Sequence, residues 1–408
     1  PAQRCRRGGT GESMRKIKLT AFALLVMAIT STMAQDSTAL IETYRRNFAR
    51  SSLGTKFELL KEAAQYENVD MGPLYDTALL FVLNNASLLA SDTTLRDMAV
   101  LCVEMLRKHR YAPAAENLWS LFRVFRENIV RIPVLQSLGE IGKGNPATLR
   151  ELNNFLDTQL SLHKSGAQVD TTVVDATIDS LGRLGDPSSF SVLFAAYTAN
   201  LSRAITDRAA VAMASLSGDY ASLLAEVIRR NTPLEKAAAL DAGLRGEALS
   251  PEKRAELAEV ALTVGVPLMS LVPRDQASIM AMRAQAAREL TLRKWQKASP
   301  IAIRHFFDFL LQYNRGQVSK SNLLEAIALL GAMGTTEAAQ ALAQYLQIIN
   351  SETEQGKSFD EQLTLGVVGN LGILGDKTAF DHLLYIGYLQ YPESVKRAAR
   401  DALQKLRW

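Results

Sequence analysis

The sequence predicts an all-α fold built as a stacked array of helical hairpins, and three observations carry that expectation. Apolar residues recur at helical spacing from Leu40 to the C-terminus, and no segment alternates apolar and polar residues long enough to make a strand. A short phrase returns four times: Leu138-Gly139-Glu140-Ile141-Gly142-Lys143, Leu181-Gly182-Arg183-Leu184-Gly185-Asp186, Leu330-Gly331-Ala332-Met333-Gly334-Thr335 and Leu371-Gly372-Ile373-Leu374-Gly375-Asp376. Its copies lie 43 residues apart from Leu138 to Leu181 and 41 apart from Leu330 to Leu371. A period of about 20 to 50 residues is the mark of a repeat array, in which each unit touches only its neighbours. The expected architecture is therefore an α-solenoid rather than two or three separate globular domains.

Taken in order, the chain opens with two segments that precede the array. Residues 1–13 lie ahead of Met14 and hold Arg4, Cys5, Arg6 and Arg7, and they read as a non-native upstream segment. Residues 14–34 have a basic start (Arg15, Lys16, Lys18), an apolar run from Leu19 to Ile29, and small residues Thr32 and Ala34 before Gln35. That is the pattern of a secretory signal peptide with cleavage after Ala34. The apolar run is shorter than the ~20 residues a membrane span needs.

Removing residues 1–34 takes away six basic residues and Glu12, so 46 Lys+Arg against 42 Asp+Glu becomes 40 against 41. The mature chain is close to neutral. A basic surface for neutralising phosphates is not expected, and nucleic acid is not expected as a partner. Cys102 is then the one cysteine left, in the apolar run Val100 to Leu106, where it reads as a small core residue.

Residues 35–91 hold three helical patterns without the phrase (Leu40–Ala49, Lys56–Tyr66, Leu74–Ala90) and read as an N-terminal cap or degenerate repeats. Residues 92–264 pair as hairpins: Leu95–His109 with Pro113–Phe125, Ile129–Ile141 with Pro146–Leu162, and Val173–Leu184 with Pro187–Ala199. Asp207–Leu216 with Tyr220–Arg229 and Glu235–Leu244 with Pro251–Leu262 complete that block. Residues 265–319 are expected to be an irregular, locally basic helical segment, in which Gly265–Arg274, with Pro267 and Pro273, interrupts the array before the helices Ala277–Gln296 and Pro300–Tyr313. Residues 320–408 resume with Lys320–Met333, Thr336–Ile349, Phe359–Leu374, Thr378–Leu389 and a closing helix Glu393–Leu406. Helix starts carry Asp92, Asp170 and Ser250 as caps, with Pro251 at a first helical position.

One unit shows the physical logic. Val174, Ile178 and Leu181 share one helical face, and Phe190, Leu193 and Phe194 share another after the turn. Neither stripe can be buried by one helix alone, so the hairpin must stack on its neighbours. Gly182 and Gly185 permit close helix approach and an exit through a left-handed residue, and Asp186-Pro187 caps the next helix.

The stretch Asp175 to Pro187 resembles the centre of a HEAT repeat, with Ala176, Leu181-Gly182-Arg183-Leu184-Gly185-Asp186 and Pro187 at the pattern's positions. Leu324–Thr335 and Thr364–Lys377 resemble it closely, Ile132–Asn145 does so with Pro133 inside the helix, and Ala209–Asp219 lacks one glycine. The resemblance covers about half of the mature chain. It implies a right-handed superhelix of stacked hairpins, in the manner of exported bacterial HEAT-repeat proteins. It leaves the activity open, since such arrays serve many tasks.

No reactive motif accompanies the array. His109, His163, His305 and His382 have no second His or Cys at metal-ligand spacing, and neither a Gly-x-Ser-x-Gly nor a phosphate-loop pattern occurs. Asp179 with Asp186, and Glu352 with Glu354, read as turn and cap residues. No cofactor, metal or catalytic residue is expected. The candidate binding residues are Arg283, Arg288, Arg293, Lys294, Trp295 and Lys297, in a run from Arg274 to Arg304 where seven basic residues face Asp275 and Glu289. Arg and Trp are the usual anchors of protein interfaces, although a solvated helix face explains the same run. Second helices of the hairpins offer Arg150, Asn153, Asn154, Gln344, Tyr345, His382, Tyr385 and Tyr388 to a concave face. The function expected is a periplasmic or secreted scaffold or adaptor, without enzyme activity and without a membrane span after cleavage, that binds another protein. The alternative is a HEAT-like enzyme resembling tetrapyrrole-attachment lyases or DNA glycosylases.

Overall fold

The computed structural model describes residues 37–88, 92–245, 247–268 and 270–407. The expected upstream segment 1–13, the signal peptide 14–34 and the cleavage point after Ala34 lie outside the described residues. Among the described residues the chain is all-α, with no strand and one isolated parallel bridge between Asp376 and Arg407. No described helix is long and apolar enough to cross a membrane.

Two compact units divide between Leu216 and Ser217. Unit 1 contains α1 (37–50), α2 (Leu53–Ala63), α3 (Gly72–Asn84), α4 (Thr93–Lys108), α5 (Ala115–Val124), α6 (Asn128–Ile141), α7 (Pro146–Lys164), α8 (Thr171–Leu184), α9 (Phe190–Thr198) and α10 (Arg203–Ala214). Unit 2 contains α11 (Tyr220–Arg230), α12 (Pro233–Leu244), α13 (Pro251–Gly265), α14 (Pro273–Arg293), α15 (Ser299–Asn314), α16 (Lys320–Met333), α17 (Thr336–Glu354), α18 (Glu361–Leu374), α19 (Phe380–Tyr385) and α20 (Glu393–Leu403).

Each unit is a double row of stacked helices, the solenoid-like arrangement the period predicts. In unit 1 the even helices α2, α4, α6, α8 and α10 each pack on the next, and α3, α5, α7 and α9 form the second row. In unit 2 the rows are α12, α14, α16, α18, α20 and α11, α13, α15, α17, α19. Each odd helix from α3 onward also packs on the even helix that follows it. Val174, Ile178 and Leu181 of α8 and Leu193 of α9 are fully buried, so both stripes of that hairpin are spent on neighbours.

The returning phrase is where one even-row helix meets the next. A Cβ on Gly182 would stand 3.1 Å from Ala212 Cα in α10, and one on Gly372 would stand 3.1 Å from Ala402 Cα in α20. The second glycine ends the helix: Gly185 and Gly375 sit at φ 70° and 65°, left-handed caps that a side chain would strain. Asp186 and Asp376 then accept from the backbone N–H of Ser188 and Thr378, opening the next turn. The first copy departs from this, because its left-handed residue is Gly144 rather than Gly142.

These two regions correspond across the units. Asn145 and Thr335 cap α7 and α17, Asp170 and Asp360 cap α8 and α18, and the paired helices have equal lengths of 19 and 14 residues. Each pair is 190 positions apart, as are Leu181 with Leu371 and Ala212 with Ala402. Unit 2 thus repeats the plan of unit 1.

Three details of the organisation differ from what the period predicts. In the segment 265–319 the two expected helices are present as α14 and α15, and α14 starts earlier than Ala277 because Pro273 takes its first helical position instead of interrupting the period. The division between units falls inside the block 92–264, between α10 and α11, which the period treats as one hairpin. The Thr378–Leu389 pattern forms α19 flanked by single 3-10 turns rather than one helix.

Candidate functional site

The basic run on α14 and its exit is dispersed by packing. Arg283 is 1% exposed and belongs to the core between α14 and α15. Its guanidinium donates to Asp308 Oδ2 at 2.6 Å and to His305 Nδ1 at 3.0 Å, and lies 4.4 Å from the centre of the Phe309 ring. Burial, with Arg283 adding to it, pushes the His305 imidazole down to about 3, so a neutral ring accepts from the guanidinium. Arg283 is therefore a packing residue and is unable to dock a partner at the surface.

The other five residues remain partly accessible, most with partners. Arg288 reaches Glu325 of α16 at 3.5 Å, and Arg293 pairs with Glu289 one turn earlier at 2.8 Å. Lys294 ends α14 in a left-handed conformation with φ 50°. Trp295 Nε1 donates to Glu259 Oε2 on α13 at 2.7 Å, and Lys297 Nζ sits 4.9 Å from the Trp295 ring.

Glu259 connects this edge to a groove. Arg229 of α11 and Glu256, Glu259, Val260, Thr263 and Val264 of α13 line a cavity of about 360 Å³. The spacing of Glu256, Val260, Thr263 and Val264 places them on one face of α13. The groove offers an apolar strip, carboxylates and a guanidinium, with the Trp295 indole beside it. That composition suits a peptide segment better than a small apolar molecule.

The remaining candidates scatter. Arg150, Asn154 and Gln344 are exposed, whereas Tyr345 is buried against Phe306 with ring centres 5.7 Å apart. Tyr385 donates to Glu354 at 2.6 Å, and Tyr388 is exposed. Asp179 pairs with Arg183 and Arg208, Asp186 caps, and Glu352 faces Lys357 at 3.8 Å. Cys102 is fully buried, and burial raises its thiol well above the usual range. A residue that charge counting overlooks is Arg131 on α6, half-buried over Phe122 and Phe155.

No protein-family model matches this chain, and no curated protein matches it. Among the described residues the chain is all-α and solenoid-like, with a groove of about 360 Å³ along one face of α13 in unit 2.

Proposed function

We propose that this chain is a periplasmic or secreted scaffold or adaptor of the bacterial cell envelope, built from HEAT-like repeats, that binds another protein without catalysing a reaction on it. The observation that carries the reading is the groove between α11 and α13, edged by Trp295 and Lys297. One face of α13 forms it, with Arg229 of the neighbouring α11 at its edge, which is the kind of surface a stacked array presents to an extended segment. The leader pattern of residues 14–34 supports export.

Fractionation with N-terminal sequencing tests the export half: the mature chain starts at Gln35 and is found outside the cytoplasm. A cytoplasmic chain that retains Met14 contradicts it. Affinity capture from envelope extracts tests the binding half, with Trp295→Ala as the comparison. A protein retained by the wild type and lost from the variant supports the groove, and equal recovery by both removes it.

A further inference from the structure

The turn between α6 and α7 differs from its counterpart in unit 2 by one hydrogen bond. In unit 2, Asp376 Oδ1 accepts from the backbone N–H of Thr378, and Oδ2 accepts from Thr336 Oγ1 at 2.7 Å. The second bond ties the turn before α17 to the turn after α18. In unit 1, 190 positions earlier, Asp186 Oδ1 accepts likewise from Ser188 N–H at 2.9 Å and from Ser188 Oγ at 2.7 Å. The place of Thr336 is taken by Pro146, which has neither a hydroxyl nor an N–H to give. Asp186 Oδ2 therefore has no hydrogen bond or ion pair among the described residues.

The unit 1 turn is also longer. Leu138 to the cap Asn145 spans seven positions, against five from Leu330 to the cap Thr335. A cavity of about 280 Å³ stands here, lined by Gly142, Gly144, Pro146, Leu149, Leu184 and Asp186 among others. A Cβ on Gly142 would stand 3.5 Å from Leu184 Cδ2, so glycine keeps the space open, and Gly144 and Pro146 at its rim are exposed. The leucines and the proline make it apolar, and Asp186 supplies its charge. Both α6 and α8 end at this place, at Gly142 and Gly185, and helix C-termini add negative potential. The α7 N-terminus opens here too, but its Ala147 and Thr148 N–H groups are already taken by Asn145.

We infer that this cavity receives a lysine side chain presented by a partner protein, with the ammonium on Asp186 and the methylene stem against Pro146, Leu149 and Leu184. The volume is below the ~300–1,000 Å³ of pockets that hold whole small molecules, so one side chain is the fitting occupant. An apolar lining with a charge at one edge matches an aliphatic stem that ends in a cation. A guanidinium is best met by both carboxylate oxygens side by side. Here Ser188 occupies Oδ1, which leaves one oxygen for a point-charge ammonium. Hydrogen bonds from Ser188 hold the Asp186 carboxyl below the usual range, so it is charged at neutral pH. The inference rests on the reading of the chain as a protein-binding array, but the site lies in unit 1, apart from the α13 groove, and each can fail without the other.

The test is NMR on the full chain, isotopically labelled at its glycine nitrogens and titrated with Nα-acetyl-lysine methylamide. Gly144→Asn assigns the Gly144 signal, since asparagine tolerates the left-handed backbone at φ 77°. The expected result is a saturable shift of that signal, unchanged in Trp295→Ala, which separates this site from the groove. The Nε-acetylated analogue, which keeps the stem without the charge, and the arginine analogue should each bind about tenfold or more weakly. Asp186→Asn should weaken lysine binding by the same factor. Pro146→Thr restores the donor of unit 2 and should weaken it as well while melting no lower than the wild type, so the result does not depend on altering the Asp186 cap. An unmoved Gly144 signal overturns the assignment. So does equal binding of the Nε-acetylated or the arginine analogue, and so does undiminished lysine binding by Asp186→Asn or Pro146→Thr.

Discussion

His305 should make unit 2 measurably less stable in mild acid, and the amount follows from its surroundings. The ring is buried, with Arg283 Nη2 at 3.0 Å from Nδ1, Asp308 accepting from the same guanidinium nitrogen and the Phe309 ring tilted against it at 4.2 Å. Protonation would place a second cation beside Arg283 and end the hydrogen bond, which is why the folded imidazole is held down to about 3 against 6.5 when unfolded. With the folded value depressed for a histidine, the unfolded chain binds the proton first. The stability contribution is therefore complete above pH 6.5 and is lost as pH falls toward 3. Between pH 7 and pH 5 the loss from this one site is about 2 kcal/mol, since each unit of pH below the unfolded value costs about 1.4 kcal/mol. The assay is denaturant unfolding of wild type and His305→Gln at both pH values. Glutamine can still accept from Arg283 but does not titrate. If the wild type and the variant lose the same stability between pH 7 and pH 5, the account of this buried cluster is wrong.

Other consequences follow from the same structure. Asp308→Ala leaves Arg283 buried without its carboxylate and should cost about 3 kcal/mol in unfolding free energy at pH 7. Gly185→Ala puts a side chain at φ 70° and should cost about 1 to 2 kcal/mol in the same measurement, with the fold retained by circular dichroism. Lys236 donates to the carbonyls of Ile228 and Arg229 at the end of α11, so Lys236→Met should lower stability by about 1 to 3 kcal/mol. The Cys102 thiol should react with a thiol reagent at the rate of unfolding, and immediate reaction of the native chain would contradict its burial.

The parts of the fold that were legible in the sequence are those where geometry restricts residue type. A left-handed helix end and a backbone approach near 3 Å leave little choice but glycine, so the phrase around Gly182 and Gly185 announces both. The division after Leu216 carries no such signature, because unit 2 begins with an ordinary capped helix at Asp219 rather than a linker. Arg283 was hidden by charge counting, although its spacing from Ile279, Ala286 and Leu290 places it on the buried stripe of α14. Arg131 stands likewise four residues before Leu135 and seven before Leu138. A cation on an apolar stripe marks a buried or partnered group more reliably than the local sum of charges does. The groove was not legible, since it joins Arg229 to a face of α13 by packing and depends on Trp295 reaching Glu259 from another helix.

Photo-crosslinking in intact cells tests the central claim most directly, with the crosslinking residue placed at Thr263 inside the groove and, as a control, at the exposed Arg203 of α10. The account predicts a discrete adduct with one partner protein from position 263, lost on Trp295→Ala and missing from position 203. No adduct from position 263, or the same adducts from both positions, would contradict it.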